Sequence, residues 1–387
     1  MGAHQLYYKH PYMKNFKARV LSCKESSGVY EIILENTAFY PEGGGQPADT
    51  GTIGECRISH VCRADAGIIH IGDRSLEIGT EYDAEIDWAR RFDHMQHHTA
   101  EHLLSGIVHK LYGADNVGFN IGAAHITIDF NTLLSHEDIA NIEILANEAV
   151  FKNLPVAIEY FDNPPDFGYR SKKELSGIIR IVTIEDYDIC ACAGTQLSST
   201  GEIGLIKIVS FHKHKSGSRL YLLCGQRALR DYQAKDDNIS AISTLLSCKP
   251  YETSEYVQRL YEEREALAFK LLNAKYNIAD MKSEKLMNAD TTDEVLIFED
   301  DLSSEEMKRY IANLSEKFGT VAVFSGCDEG AGGSGYKYMI TSSILDLPVF
   351  IKNMNAELNG KGGGKATAFG HVSSSRFEIE KYFESIQ

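Results

Sequence analysis

No apolar run in this 387-residue chain approaches the ~20 residues that would cross a bilayer. Residues 1–16 hold no apolar stretch of the signal-peptide kind. Cysteine is sparse: Cys23, Cys56, Cys62, Cys190, Cys192, Cys224, Cys248 and Cys327 are scattered through a large chain. That spacing excludes a disulfide framework and fits buried thiols used as small hydrophobes. Positive charge is also short. The 39 Lys+Arg stand against 55 Asp+Glu, a formal charge of −16, and both 1–230 and 231–387 are net acidic. A chain coated in positive charge for non-specific nucleic-acid binding is therefore excluded; a chain with local basic patches is not. Hydrophobic residues at 43% and charged residues at 24% exclude compositional disorder and fibrous repeats. What remains is a soluble, intracellular globular protein of the cytoplasm, long enough for two or three domains with their own cores.

The patterning is mixed α+β. Short β-rich runs at 17–21, 30–34 and 68–71, punctuated by Gly and Asp, predict a small β-barrel-like domain over 1–85. Residues 88–112 read as a helix, with Met95, His98, His102, Leu103 and Ile107 at helical spacing. A β-rich stretch at 124–130, a second helix at 135–153 and strands at 178–184 and 204–211 make 86–235 an α+β core. Over 252–287, Val257, Leu260, Tyr261, Leu267, Ala268, Leu271 and Leu272 mark one apolar helix face. That helix either packs on its own domain or forms a coiled-coil arm, so 236–290 is a helical linker or dimerisation arm. Residues 291–387 alternate strands (295–298, 320–324, 338–340, 349–351) with helices (303–318, 377–385), a small α/β domain.

Three motifs carry chemistry. His98 and His102 stand at i and i+4 on one helix face, so their imidazoles can close on a single ion. His94 lies one turn earlier. In Asp188-Ile189-Cys190-Ala191-Cys192-Ala193-Gly194-Thr195-Gln196, an extended chain puts Cys190 and Cys192 on one side. One or two thiolates with two imidazoles form a zinc-type ligand set. The third motif is the loop around Gly43, Gly44 and Gly45, where glycine permits close backbone approach. Its N–H groups face a carboxyl or phosphate-like group, or the loop simply joins two strands. It is not a phosphate-binding P-loop, because no Gly-Lys-Ser/Thr follows.

In this order the motifs resemble those of the long-form AlaX proteins, the free-standing alanyl-tRNA editing family related to the editing domain of alanyl-tRNA synthetase. Thr37-Ala38-Phe39-Tyr40-Pro41-Glu42-Gly43-Gly44-Gly45-Gln46 resembles the family's glycine-rich loop, His98–His102 its HxxxH zinc motif, and 192–196 its CxxxH zinc motif. The run at 200–204 continues the match, and 360–371 is similar to the C-terminal domain shared with DHH-type phosphoesterases. The resemblance implies an N-terminal barrel, a zinc-binding editing core, and a C-terminal domain for tRNA binding or dimerisation. It implies an ATP-independent hydrolase that removes a wrong amino acid, serine or glycine, from tRNA(Ala).

Carried over residue by residue, the Zn2+ ligands are His98, His102 and Cys192. The family's last zinc histidine is Gln196 here. The fourth place therefore stays open among Gln196, Cys190, His94 and water. The resemblance makes Thr37 a sensor of the substrate's hydroxyl and puts Gly43–Gly45 beside the aminoacyl end, with Gln46 as a polar contact. Asp129 reads as structural. The basic residues Lys213, Lys215 and Arg219, with Lys361 and Lys365 on the C-terminal glycine run, are the candidate contacts to tRNA phosphates. The helical segment and the family's C-terminal domain together imply a homodimer. No aminoacylation or phosphoesterase motif is expected. Two other readings compete: a catalytically degraded tRNA-binding protein, supported by Gln196, and a metal hydrolase of small free esters.

Overall fold

The computed structural model describes residues 5–171, 177–288, 293–328 and 335–385. Its chain divides into two units, residues 1–241 and 242–387.

The first unit opens with a short helix α1 (Leu6–Lys9) and six strands: β1 (Asn15–Ser26), β2 (Val29–Leu34), β3 (Gly51–Ile53), β4 (Cys56–Ala64), β5 (Gly67–Gly72) and β6 (Glu81–Ile86). They close into a barrel in the order β1-β2-β5-β4-β3-β6. Strand alternation builds its core: Phe16, Ala18 and Val20 point inward, while Lys17, Arg19 and Leu21 point out. Ile32, Ile53, Ile58, Val61 and Ile86 fill the remainder. Closure leaves this sheet no unpaired edge.

Helix α2 (Trp88–Tyr112) follows, as the spacing predicts. Asp87 caps its start by accepting from the Arg90 N–H at 3.1 Å, and Gly113, in the left-handed region, ends it. Two sheets and a second helix enclose it. Strands β7 (Asn116–Ile121), β8 (Ile126–Phe130), β12 (Ile206–His214) and β13 (Gly217–Cys224) form a sheet in the order β12-β13-β8-β7. Helix α3 (His136–Lys152) starts on a capping box of Ser135 and Asp138. Strands β9 (Val156–Phe161), β10 (Ile179–Ile184) and β11 (Asp188–Ala191) make a three-stranded sheet, β11-β10-β9. Helix α4 (Gly225–Leu246) spans the boundary between the units. Ala228 is its one buried residue, while its apolar side chains Leu229, Tyr232, Ile239 and Leu245 are exposed.

The second unit holds α5 (Thr253–Met287), β14 (Glu294–Glu299), α6 (Ser304–Leu314), β15 (Thr320–Cys327), β16 (Gly335–Ser342), α7 (Leu347–Glu357), β17 (Lys361–Gly363), β18 (Thr367–Val372) and α8 (Arg376–Glu384). Its sheet runs β14-β15-β16-β18-β17, with β14 and β15 parallel. One expectation is corrected here: 349–351 is not a strand but lies within α7. A three-residue apolar run does not distinguish strand from helix. The flanks decide it, since Asp346 caps the helix by accepting from Val349 N–H, and Pro348 suits its first turn. Leu347, Phe350, Ile351 and Met354 are then buried at helical spacing. Among the described residues, no helix is long and apolar enough to cross a membrane.

The barrel is tied to α2 by Arg91, which is fully buried. Its guanidinium pairs with Asp49 and donates to the carbonyls of Pro11 (2.8 Å) and Ala38 (2.6 Å). Arg91→Met should therefore cost about 3–5 kcal/mol, because Asp49 is left buried without its partner; urea denaturation measures it. A second expectation concerns His70, fully buried in the barrel and pushed down to about 4 by that burial. Between pH 4 and the ordinary value near 6.5, only the unfolded chain binds this proton. Its contribution is complete above 6.5 and is lost as pH falls toward 4, about 3 kcal/mol in all. Stability measured across that window should decline, and more shallowly in His70→Leu.

Candidate metal centre

Helix α2 is buried without a break from His94 to Val108, polar side chains included, so each of those polar groups needs a partner. The two histidines show what those partners do. His98 and His102 lie one turn apart with ring centroids 5.5 Å from each other. His98 Nδ1 stands 2.9 Å from Gln46 Oε1, and that same oxygen accepts the Thr195 N–H at 3.2 Å. A carbonyl oxygen only accepts, so His98 carries its proton on Nδ1 and keeps a bare lone pair on Nε2. His102 Nδ1 donates to Asp188 Oδ2 at 2.8 Å, so its Nε2 is the nitrogen whose proton a bound metal would replace. Arg170 in turn holds Asp188 through two bonds, 2.7 and 2.8 Å.

Cys192 completes the group. Its Sγ is 3.4 Å from His98 Nε2, and one donor atom each from His98, His102 and Cys192 all lie within 4.8 Å of one another. Burial alone would raise the Cys192 thiol, but the His98 and His102 imidazoles outweigh it and hold the thiol well below its usual range. The Gly194 N–H donates to the sulfur at 3.3 Å. His102 is the mirror case: burial would lower it, while Cys192 and Asp188 raise it well above the ordinary imidazole value. A thiolate and two imidazoles, each imidazole steadied through its far nitrogen, is a donor set that could hold a metal ion.

The glycines serve this geometry. Gly43 and Gln46 exchange backbone hydrogen bonds of 3.1 Å each way, and Gly44 (φ 62°) and Gly45 (φ 84°) between them are both left-handed. This is a two-residue hairpin turn that favours glycine at both central positions. It docks on β7 through Ile121 N–H to the Gly45 carbonyl, and a Cβ on Gly45 would stand 2.4 Å from the Phe119 carbonyl oxygen. The turn thereby delivers Gln46 to His98. The Gly43 N–H is spent inside the turn.

The other expected residues divide. Gln196 lies beside the sulfur, but its carbonyl accepts from Thr99 Oγ1 at 2.8 Å and its amide nitrogen faces Cys192 Sγ at 3.7 Å. Cys190 belongs to a second group, with His102 and Asp188, and burial pushes its thiol up to about 11. His94 is in neither group; its buried Nδ1 has no hydrogen-bond partner among the described residues, and burial pushes it down to about 3. Thr37 is committed within the barrel: its hydroxyl is 2.8 Å from His70 Nε2, whose Nδ1 reaches the Ile32 carbonyl at 3.1 Å. Asp129 and Arg219 form a two-bond pair of 2.6 and 2.7 Å, which spends the Arg219 guanidinium on β8. Lys213 and Lys215 are exposed near the β12–β13 turn, and Lys361 and Lys365 are exposed in the second unit.

Sequence reasoning missed the orienting partners Arg170 and Thr195, and gave Asp188 no role although it sits two residues before Cys190. A carboxylate within a few residues of a ligand cysteine is the one signal that was available. Arg170 has none, being brought in by the Arg170 N–H bond to the Ile189 carbonyl.

Comparison with known proteins adds to this geometry. Residues 179–221, which contain Cys192, match the family described as "Threonyl and Alanyl tRNA synthetase second additional domain", and residues 6–90 match "tRNA synthetases class II (A)". The chain is 29% identical to the alanyl-tRNA editing protein AlaX-L of Pyrococcus horikoshii, over 97% of this chain and 96% of that one. It is 31% identical to the alanyl-tRNA editing protein Aarsd1 of Bos taurus, over 72% of this chain and 67% of that one. It is 36% identical to the alanine–tRNA ligase of Pyrococcus furiosus, over 67% of this chain but 30% of the ligase.

A Cβ on Gly194 would stand 2.0 Å from the His98 ring. Gly194→Ala should displace His98 from Cys192 and lower the metal bound per chain, read by elemental analysis after dialysis, while the far-ultraviolet circular dichroism stays unchanged.

Proposed function

The chain belongs to the alanyl-tRNA editing proteins, and from that premise we propose that it is an aminoacyl-tRNA deacylase acting in trans on tRNA(Ala) charged with the wrong amino acid. Ser-tRNA(Ala) is the first substrate and Gly-tRNA(Ala) the second. The need is physical: a pocket built for alanine rejects neither a residue lacking one methyl nor one adding a single hydroxyl by a large factor. A second, hydrolytic site restores the discrimination.

The observation that carries the reading is the His98, His102 and Cys192 group with its orienting shell. Its donor chemistry fits zinc, which when bound supplies Lewis-acid polarisation and activation of water. Gln46 and Asp188 fix the tautomers that turn both Nε2 atoms toward Cys192. Gly194 and Gln196 steady the sulfur, so we assign Gln196 to the thiolate and leave the fourth place to water or a substrate oxygen, the pattern of a catalytic site. The hairpin of Gly44 and Gly45 keeps Gln46 in position, whereas the Thr37 hydroxyl, held by His70, would have to leave that partner to meet a substrate hydroxyl. Lys213 and Lys215 on one unit and Lys361 and Lys365 on the other are proposed to meet tRNA phosphates, whereas Arg219 stays with Asp129. The segments 1–85, 86–235, 236–290 and 291–387 then serve as barrel, editing core, arm and recognition domain of a cytoplasmic homodimer.

The replacement of a zinc histidine by Gln196 favours one other reading, a tRNA-binding protein that has lost turnover. Deacylation of tRNA(Ala) charged separately with Ser, Gly and Ala, with zinc measured on the same sample, separates the two. The expected result is stoichiometric zinc, fast loss of Ser, slower loss of Gly, and sparing of Ala. His102→Ala should slow Ser-tRNA(Ala) deacylation by at least ~100-fold. Equal rates in the two proteins would remove the metal centre from the reaction.

A further inference from the structure

Glu101 lies between the two histidines on α2 and is only 4% exposed. A carboxylate that deep needs strong partners. Its Oε1 accepts from Ser105 Oγ at 2.7 Å and from Asn116 Nδ2, and Asn116 Nδ2 also reaches Ser105 Oγ at 3.1 Å. Asn116 is itself fixed through its Oδ1, which accepts the Gly118 N–H at 2.9 Å. This closed triangle pins the plane of the carboxylate.

The pinned group presents Oε2 to the metal centre. Oε2 is 3.9 Å from His102 Nε2, the nitrogen that faces Cys192 because Nδ1 is taken by Asp188. Glu101 is nevertheless absent from the group of mutually close donors. It stands beside the ligand nitrogen without completing the donor set, about where one water would separate a carboxylate from the reacting centre. A glutamate immediately before the second histidine of an i, i+4 pair occurs in the same order in one class of zinc peptidases.

We propose that Glu101 is a catalytic residue of the deacylation, the general base for the attacking water; this rests on the deacylase reading above. As the water oxygen bonds to the ester carbonyl carbon, one water proton passes to Glu101 Oε2. When the tetrahedral adduct collapses, the bond from that carbon to the ribose oxygen breaks and Glu101 returns the proton to the ribose oxygen. The products are the free amino acid and the tRNA with its hydroxyl restored. Ser105 and Asn116 are positioning residues, since they act through the carboxylate.

The test uses full-length protein and single-turnover deacylation of Ser-tRNA(Ala). Glu101→Gln keeps the shape and removes the base, so the rate should fall ~100-fold or more. Zinc per chain, and affinity for an amide-linked seryl analogue of the tRNA 3′ end, should match the wild type. Glu101→Asp keeps the carboxylate but withdraws it by one methylene, and should retain more activity than Glu101→Gln. A wild-type rate in Glu101→Gln, loss of zinc together with activity, or equal rates in the two variants would each overturn the proposal while leaving the deacylase reading intact. A wild-type protein that releases no amino acid from any tRNA(Ala) ester would overturn the deacylase reading, and the role of Glu101 with it.

Discussion

The architecture of the first unit follows from one constraint: α2 carries many polar side chains, among its apolar ones, where water does not reach. Arg91, Gln96, His97, His98, Thr99, Glu101 and His102 are all buried on it. Each unpaired polar group there would cost on the order of 1–3 kcal/mol, and a charged one more. The partners come from every surrounding segment. The barrel and its loop send Asp49 and Gln46, the β11 region sends Asp188 and Gln196, β7 sends Asn116, and the Cys224 N–H at the end of β13 donates to His97 Nε2 at 3.0 Å. Gln96 reaches the carbonyls of Glu202 and Ile203. Satisfying one helix thus forces chain segments up to ~150 residues apart in sequence to converge on it.

The same convergence sets the electrostatics of the centre. Two imidazoles and a thiolate meet inside a shell holding the carboxylates of Asp188 and Glu101 and the guanidinium of Arg170. Each imidazole is held at Nδ1 by an acceptor, a carbonyl for His98 and a carboxylate for His102. The two Nδ1 partners therefore differ in charge, a neutral amide for one histidine and a carboxylate for the other. Close packing then protects the arrangement: Gly194 and Gly45 sit where a single extra carbon would strike the His98 ring or the Phe119 backbone.

Surface charge is managed differently from the interior. The chain is strongly acidic overall, yet Lys213, Lys215, Lys361 and Lys365 are exposed on glycine-containing turns and edges. A net charge describes the long-range field, whereas contact with a phosphate depends on the few cations within a Debye length, about 10 Å at 0.1 M salt. Arg219 illustrates the other limit. It belongs to the same basic run by sequence, but folding pairs it with Asp129 across neighbouring strands.

Local pattern alone determined a good deal about this protein. The α+β class, the barrel strands at 17–21 and 30–34, the bounds of α2 at 88 and 112, the long helix read over 252–287 and the pairing of His98 with His102 are all legible. They depend on periods of two or 3.6 residues and on caps within a few positions. Only the tertiary structure decided the rest. It made 349–351 part of a helix, spent Arg219 on Asp129, turned the Gln196 amide toward a sulfur, and brought Gln46, Arg170, Asp188 and Glu101 around the two histidines. These outcomes depend on which distant groups a buried donor or acceptor finds, and no local spacing encodes a partner 50 or 90 residues away.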